Sequence, residues 1–224
     1  MSRNGSKTAP APEPDWVRRD PLFHSLRKRL SQRPPHRRAM PDFVQAAVLL
    51  TLWRQQDLPQ LLFIQRSREV RHHAGEISFP GGAVETTDRD LLQTAMRETH
   101  EEVGIPPKHL FLLGPLDQTF SFSRYAVFPF LGALPTAPEL KLNSKEVAEA
   151  IVLPLGRLLN PDRAWTTART LDGQEVTVYY YEVEGRVIWG ATARILKNLL
   201  DLIRSNPSLL EEASQHGEST CDVL

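Results

Sequence analysis

Apolar positions come in blocks whose spacing changes along the chain. Residues 1–15 are Ser, Pro, Ala and charged side chains with no apolar repeat, which predicts a disordered tail with nothing to bury. Leu22, Phe23, Leu26 and Leu30 then recur at helical spacing while Arg27, Lys28 and Arg29 face elsewhere. Residues 21–30 therefore read as a short amphipathic helix with a solvated basic face, stopped by Pro34-Pro35. Residues 43–53 and 61–65 read as strands flanking a polar loop with Asp57 and Pro59. Further strands are expected at 110–113, 126–134, 147–153, 176–183 and 186–189, the last two joined by a Glu184-Gly185 turn. Ile195, Leu196, Leu199, Leu200 and Ile203 predict a closing helix over 192–204, with Trp189 and Gly190 packing the core before it. Past Pro207 the chain turns polar and reads as a fraying tail. The division is a tail at 1–15, a basic helical extension at 16–40, one domain at 41–206 and a polar tail at 207–224.

The block GGAVETTDRDLLQTAMRETHEEVGIPP, 81–107, departs from this plain pattern. Asp90 followed by Gln93 has the spacing of a capping box and starts a helix near Leu91. Gly104 is a natural C-cap, and Pro106 follows where a helix cannot continue. Leu92, Ala95, Met96, Thr99 and Val103 form one face, and Glu98, Glu101 and Glu102 fall on another, within about a third of a turn of each other. Leu91 is the exception, lying beneath the carboxylates. Clustered carboxylates repel by a few tenths of a kcal/mol, roughly, per pair. Oxygen-rich groups of this kind suit hard divalent cations, which remove the repulsion. A solvated acidic face is the plain alternative. Gly81 and Gly82 can take positive φ and let the backbone approach a phosphate or a metal, a use compatible with a simple tight turn.

Composition narrows the field. A chain of 224 residues builds one sizeable core, and 27 basic against 27 acidic side chains give no overall charge to favour nucleic acid or a membrane surface. The lone cysteine, Cys221, excludes an internal disulfide, and no apolar run nears the roughly 18 residues of a membrane span. With no signal-type start, the expected location is cytoplasmic. The terminal CDVL departs from a prenylation box at Asp222.

The acidic helix sits in a known context. RETHEEVG at 97–104, followed by Ile105, resembles the second half of the Nudix box, G-x5-E-x7-REUxEExGU with U aliphatic. It departs in three places: the gap from Gly82 to Arg97 is one residue longer, Asp88 stands where the first Glu belongs, and Thr99 replaces the aliphatic residue. The longer gap is a habit of the coenzyme A diphosphatase branch. RSREVRHHAGEISFPGG, 66–82, resembles that branch's second signature, with Arg66, Ser67, Arg71, Gly75 and Phe79 through Gly82 on its fixed positions. NSKEV at 143–147, Pro154-Leu155 and VIWGATA at 187–193 are similar too, so the likeness spans about residues 25–204.

The resemblance implies an α/β protein, a Nudix-type α/β/α sandwich with a mixed sheet and a loop-helix-loop catalytic motif. It implies Mg²⁺ or Mn²⁺ held by Glu98 and Glu102. Glu101 is a further ligand or the base for the attacking water, and Arg97 pins the carboxylates. Glu146, the nearest acid outside the helix, is the other candidate base, with a structural place at a strand edge as its equal alternative. Arg66, Arg71, His72 and His73 are placed to bind phosphates, since arginine grips phosphate with a planar fork. The implied substrate is a small nucleotide diphosphate, coenzyme A or acyl-coenzyme A, cut to 3′,5′-ADP and (acyl-)4′-phosphopantetheine. ADP-ribose, a dinucleotide or capped RNA is the alternative substrate, and a non-catalytic nucleotide sensor the alternative class.

Overall fold

Asp20 ties the N-terminal extension to the domain. The computed structural model describes residues 12–70, 73–171 and 173–214. In it α1 (Asp15–Arg19) leads straight into α2 (Pro21–Ser31), where Asp20 accepts the Phe23 N–H at 3.1 Å as N-cap. The same carboxylate takes two further bonds from Arg54, at 2.7 and 3.2 Å. Leu22, Phe23, Leu26 and Leu30, the predicted stripe, are all buried in the main core.

The sheet grows around β1 (Val44–Gln55), which turns through Gln56 and Asp57 into β2 (Leu58–Arg66). Both turn residues have positive φ, 51° and 63°, the conformation that a tight two-residue hairpin demands. The predicted polar loop is therefore only a turn, and β2 starts three residues earlier than its apolar run suggests. Two short strands, β3 (Ile77–Ser78) and β4 (Gly81–Ala83), precede α3 (Leu91–Val103). Then come β5 (Phe111–Pro115), β6 (Thr119–Phe120), β7 (Tyr125–Ala133), β8 (Val147–Pro154) and the single turn α4 (Leu155–Leu158). Strand order is β3-β2-β1-β7-β5, with β4 on β1, β6 on β7 and β8 on β2. The β1–β7 pair is parallel and the rest antiparallel, so the sheet is mixed.

Alternation along β1 covers both of its faces. Leu50 and Leu52 join the cluster containing the α2 side chains, while Ala47 and Leu49 pack with Ala95 of α3. A second, antiparallel sheet follows: β9 (Ala164–Leu171), β10 (Gln174–Val183) and β11 (Arg186–Trp189). Tyr181, Val183 and Ile188 of that sheet enter the main core with α5 (Gly190–Arg204). Helices thus lie on both sides of a mixed sheet, the α/β/α sandwich. No described helix is long and apolar enough to cross a membrane.

Two further expectations change. β9 carries no apolar alternation and was not anticipated; it is an exposed edge strand held by pairing with β10. Past Pro207 the chain does not fray at once: α6 (Pro207–Ser214) packs on α2 and α5 and buries Leu209 and Ala213 one turn apart. The N-terminal stretch before residue 12, Arg71, His72 and the C-terminal stretch from 215, with Cys221, lie outside the described residues. Leu209 is fully buried, so Leu209→Ala should cost about 2–4 kcal/mol, measured by denaturant unfolding. An unchanged midpoint would show that α6 does not dock in solution.

Candidate active site

Helix α3 is fixed at both ends by local chemistry. Asp90 accepts the Gln93 N–H at 2.8 Å, and Gln93 reaches back to the Arg89 N–H at 2.8 Å, so the return bond of the capping box lands one residue early. Gly104 closes the helix at φ +76°. Between these caps Thr94, Ala95, Thr99 and Val103 are buried, and the Thr99 hydroxyl donates to the Ala95 carbonyl at 2.7 Å, which suits threonine where an aliphatic residue was expected. Leu91, Leu92 and Met96 are only partly buried.

This orientation puts Glu102 beneath β4 with 1% of its side chain exposed. It accepts the Gly81 N–H at 2.9 Å, and its other oxygen faces Arg66 Nη1 at 3.4 Å. The glycines before the helix are there for closeness. A Cβ on Gly81 would meet the Ala47 carbonyl at 2.3 Å, and one on Gly82 would meet the Glu98 carboxylate at 2.4 Å. Gly81 has φ +153°, but Gly82 is not among the positive-φ glycines, so its requirement is space alone.

Glu146 arrives from across the sheet. Val147 pairs with Arg66 where β8 joins β2, and Ser67 N–H donates to the Glu146 carbonyl at 2.8 Å. Asn143 donates its N–H to the Glu102 carbonyl at 3.0 Å and its side-chain amide to Glu146 at 3.2 Å. Oxygens of Glu98, Glu102 and Glu146 come within 4.8 Å of one another. Glu101 is not in this triple; half exposed, it accepts from Arg97 at 3.1 Å. Arg97 also grips Asp88 through two bonds of 3.0 Å and Glu98 through one of 2.9 Å. Asp88, where the box's first Glu was expected, is thus the buried partner that aims Arg97. Those bonds hold its carboxyl far below the usual range and keep the guanidinium charged.

Burial dominates at the two helix carboxylates, Glu102 and Glu98. It pushes the Glu102 carboxyl up to about 8, the nearby Glu98 and Glu146 charges adding to what the Gly81 N–H and Arg66 only partly offset. Burial also raises Glu98, against the pull of Arg97. Converging, desolvated, all-oxygen donors short of positive charge fit a hard divalent cation. They open into a cleft of about 400 Å³ lined by Arg66, Ile77, Phe122, Tyr125 and Trp189. Arg66 Nε is buried there with no hydrogen-bond partner. His73, at φ +58°, bridges Glu76 at 2.9 Å and Ser123 at 2.7 Å, joining the loop after β2 to the turn before β7. Trp189 and Gly190, expected as core, instead line the cleft.

The family model of the NUDIX domain matches residues 43–173, more than half of the chain. The chain belongs to the Nudix family. A Nudix hydrolase NudL of Pectobacterium atrosepticum, described as uncharacterized, is 36% identical over 176 residues, 79% of this chain and 91% of that protein. The like-named protein of Photorhabdus laumondii is 36% identical over 171 residues, 76% of this chain and 91% of its own. Among solved structures, a MutT/nudix family protein from Enterococcus faecalis aligns with 90% of this chain and 78% of its own, at 13% identity and a TM-score of 0.49. Nudix hydrolases generally use divalent metal ions, and the acidic triple is the described group suited to one.

Glu102 gives a sign to the pH dependence. Its folded-state pKa lies above the ordinary carboxyl value, so its contribution to stability is full below about pH 4.5 and is lost as pH rises through about 8. The melting temperature of chelator-treated Nudix protein should therefore fall between about pH 5 and pH 8, with Mn²⁺ restoring it and Glu102→Gln flattening the profile. A flat wild-type profile would contradict the assignment.

Proposed function

We propose that this Nudix hydrolase cleaves the diphosphate of coenzyme A or its thioesters, releasing 3′,5′-ADP and 4′-phosphopantetheine or its acyl form. One observation carries the reading. The segment 66–82, which resembles the coenzyme A diphosphatase signature, is the segment that brings Arg66, Gly81 and Gly82 against Glu98 and Glu102 in the cleft.

In this reading Glu98 and Glu102 hold Mg²⁺ or Mn²⁺, with Glu101 and Glu146 as the remaining carboxylates of the site. The ion, when bound, acts as a Lewis acid that lowers the pKa of a water and neutralises charge on the phosphoryl oxygens. Glu146, within the acidic triple, is better placed to accept the water's proton than Glu101, which turns to Arg97. The Gly81 N–H orients Glu102. Arg97 is a positioning residue, held by Asp88 and holding Glu98. Arg66 and His73 line the cleft and bind phosphates, joined by Arg71 at a fixed position of the signature and by His72 next to it in sequence.

A panel of coenzyme A, ADP-ribose, dinucleotides and capped RNA, with products resolved by mass, tests the substrate class; 3′,5′-ADP from coenzyme A is the expected product. Glu98→Gln or Glu102→Gln should lower turnover by about a hundredfold or more while leaving the protein folded. Near-wild-type turnover in either, at saturating metal, refutes the metal assignment. Dephospho-coenzyme A lacks only the 3′-phosphate, and losing one charge-assisted contact of roughly 1.5–3 kcal/mol makes it a poorer substrate by about ten- to a hundredfold in kcat/KM. Arg71→Ala should shrink that preference; an unchanged ratio would assign Arg71 to the diphosphate instead.

A further inference from the structure

Three aromatic residues line up across the second sheet. Tyr180 of β10 lies opposite Trp165 of β9 on one side and Trp189 of β11 on the other. Directly opposed residues point to the same face of a sheet. Trp165 and Tyr180 stack with centroids 5.2 Å apart and planes 6° from parallel. The row begins at Trp189 on the wall of the catalytic cleft. It ends at the free edge of the sheet, two strand spacings or about 10 Å away.

Trp165 is 42% exposed, and Val187, on the same face and two residues before Trp189, is 44% exposed. These are two of five large apolar side chains exposed among the described residues, and a third, Phe122, lines the cleft. Apolar exposure is therefore concentrated on the cleft and the face adjoining it. Arg169, on the same face of β9, sets its guanidinium 5.8 Å from the Trp189 ring. The row thus has a guanidinium against Trp189, its end on the cleft wall, and an exposed aromatic ring, Trp165, at its outer end.

That polarity matches a ligand with a phosphate at one end and an apolar tail at the other. We propose that the Trp189–Tyr180–Trp165 row binds the acyl end of an acyl-coenzyme A, so that Trp165 makes chain length a determinant of specificity; this rests on the coenzyme A reading above. Each fully buried methylene strengthens binding about fourfold. On a face open to water on one side, an octanoyl chain should gain about tenfold over free coenzyme A.

The test is kcat/KM for octanoyl-coenzyme A relative to coenzyme A, with Mg²⁺, in wild-type protein, Trp165→Ala and Trp165→Phe. Using the ratio cancels general damage to the site. The expected ratio is about ten in wild type, close to one in Trp165→Ala, and restored by Trp165→Phe. A wild-type ratio near one, or a ratio that Trp165→Ala leaves unchanged, overturns the proposal and leaves the coenzyme A reading standing. Hydrolysis of ADP-ribose but of neither thioester nor coenzyme A overturns the coenzyme A reading and this proposal with it. A wild-type dimer in sedimentation that Trp165→Ala converts to monomer would give this face to a second copy of the chain, and also overturns it.

Discussion

Glu102 is a carboxylate with almost no access to water, met by one backbone N–H and a guanidinium nitrogen at 3.4 Å. Two more carboxylates lie close beside it. Burying like charges is unfavourable, and the rest of the site reads as the means of holding them there regardless. Gly81 and Gly82 admit β4 to within contact of β1 and Glu98, so that a backbone N–H can reach Glu102. The Asp88–Arg97 pair supplies the fixed positive charge that Glu98 needs. Asn143 and Ser67 bind the main chain of Glu102 and Glu146, locking the third carboxylate in place. A divalent cation then provides the charge that the protein itself leaves short.

Legibility in the sequence followed locality. The bounds of α3 were readable because Asp90 and Gly104 act on their own turns of the helix. The buried stripe of α2 was readable from spacing alone. β9 was not, because Ala164–Leu171 is a strand only through its partner β10 and buries almost nothing of its own. Leu209 and Ala213 are too few to mark a helix, yet α2 and α5 make a surface for them.

The site divides the same way. Glu98 and Glu102 were readable on one helix, whereas Glu146 joins them only because Val147 pairs with Arg66 on a distant strand. The glycine pair was legible as residue types, but the crowding at Gly82 depends on Glu98 and so on the docked helix. Trp189 reads as core because it is apolar. In fact Ile188 takes the core side of β11, and alternation turns Trp189 to the cleft.

The central claim is that the buried Glu102 carboxyl keeps its proton at neutral pH until a cation replaces it. Calorimetric titration of Mn²⁺ into metal-free protein at about pH 7, in two buffers of different ionisation enthalpy, measures that exchange directly. The account predicts release of about one proton per ion bound by wild type, and a much smaller release by Glu102→Gln. Tight Mn²⁺ binding with no proton released by the wild-type protein would contradict it.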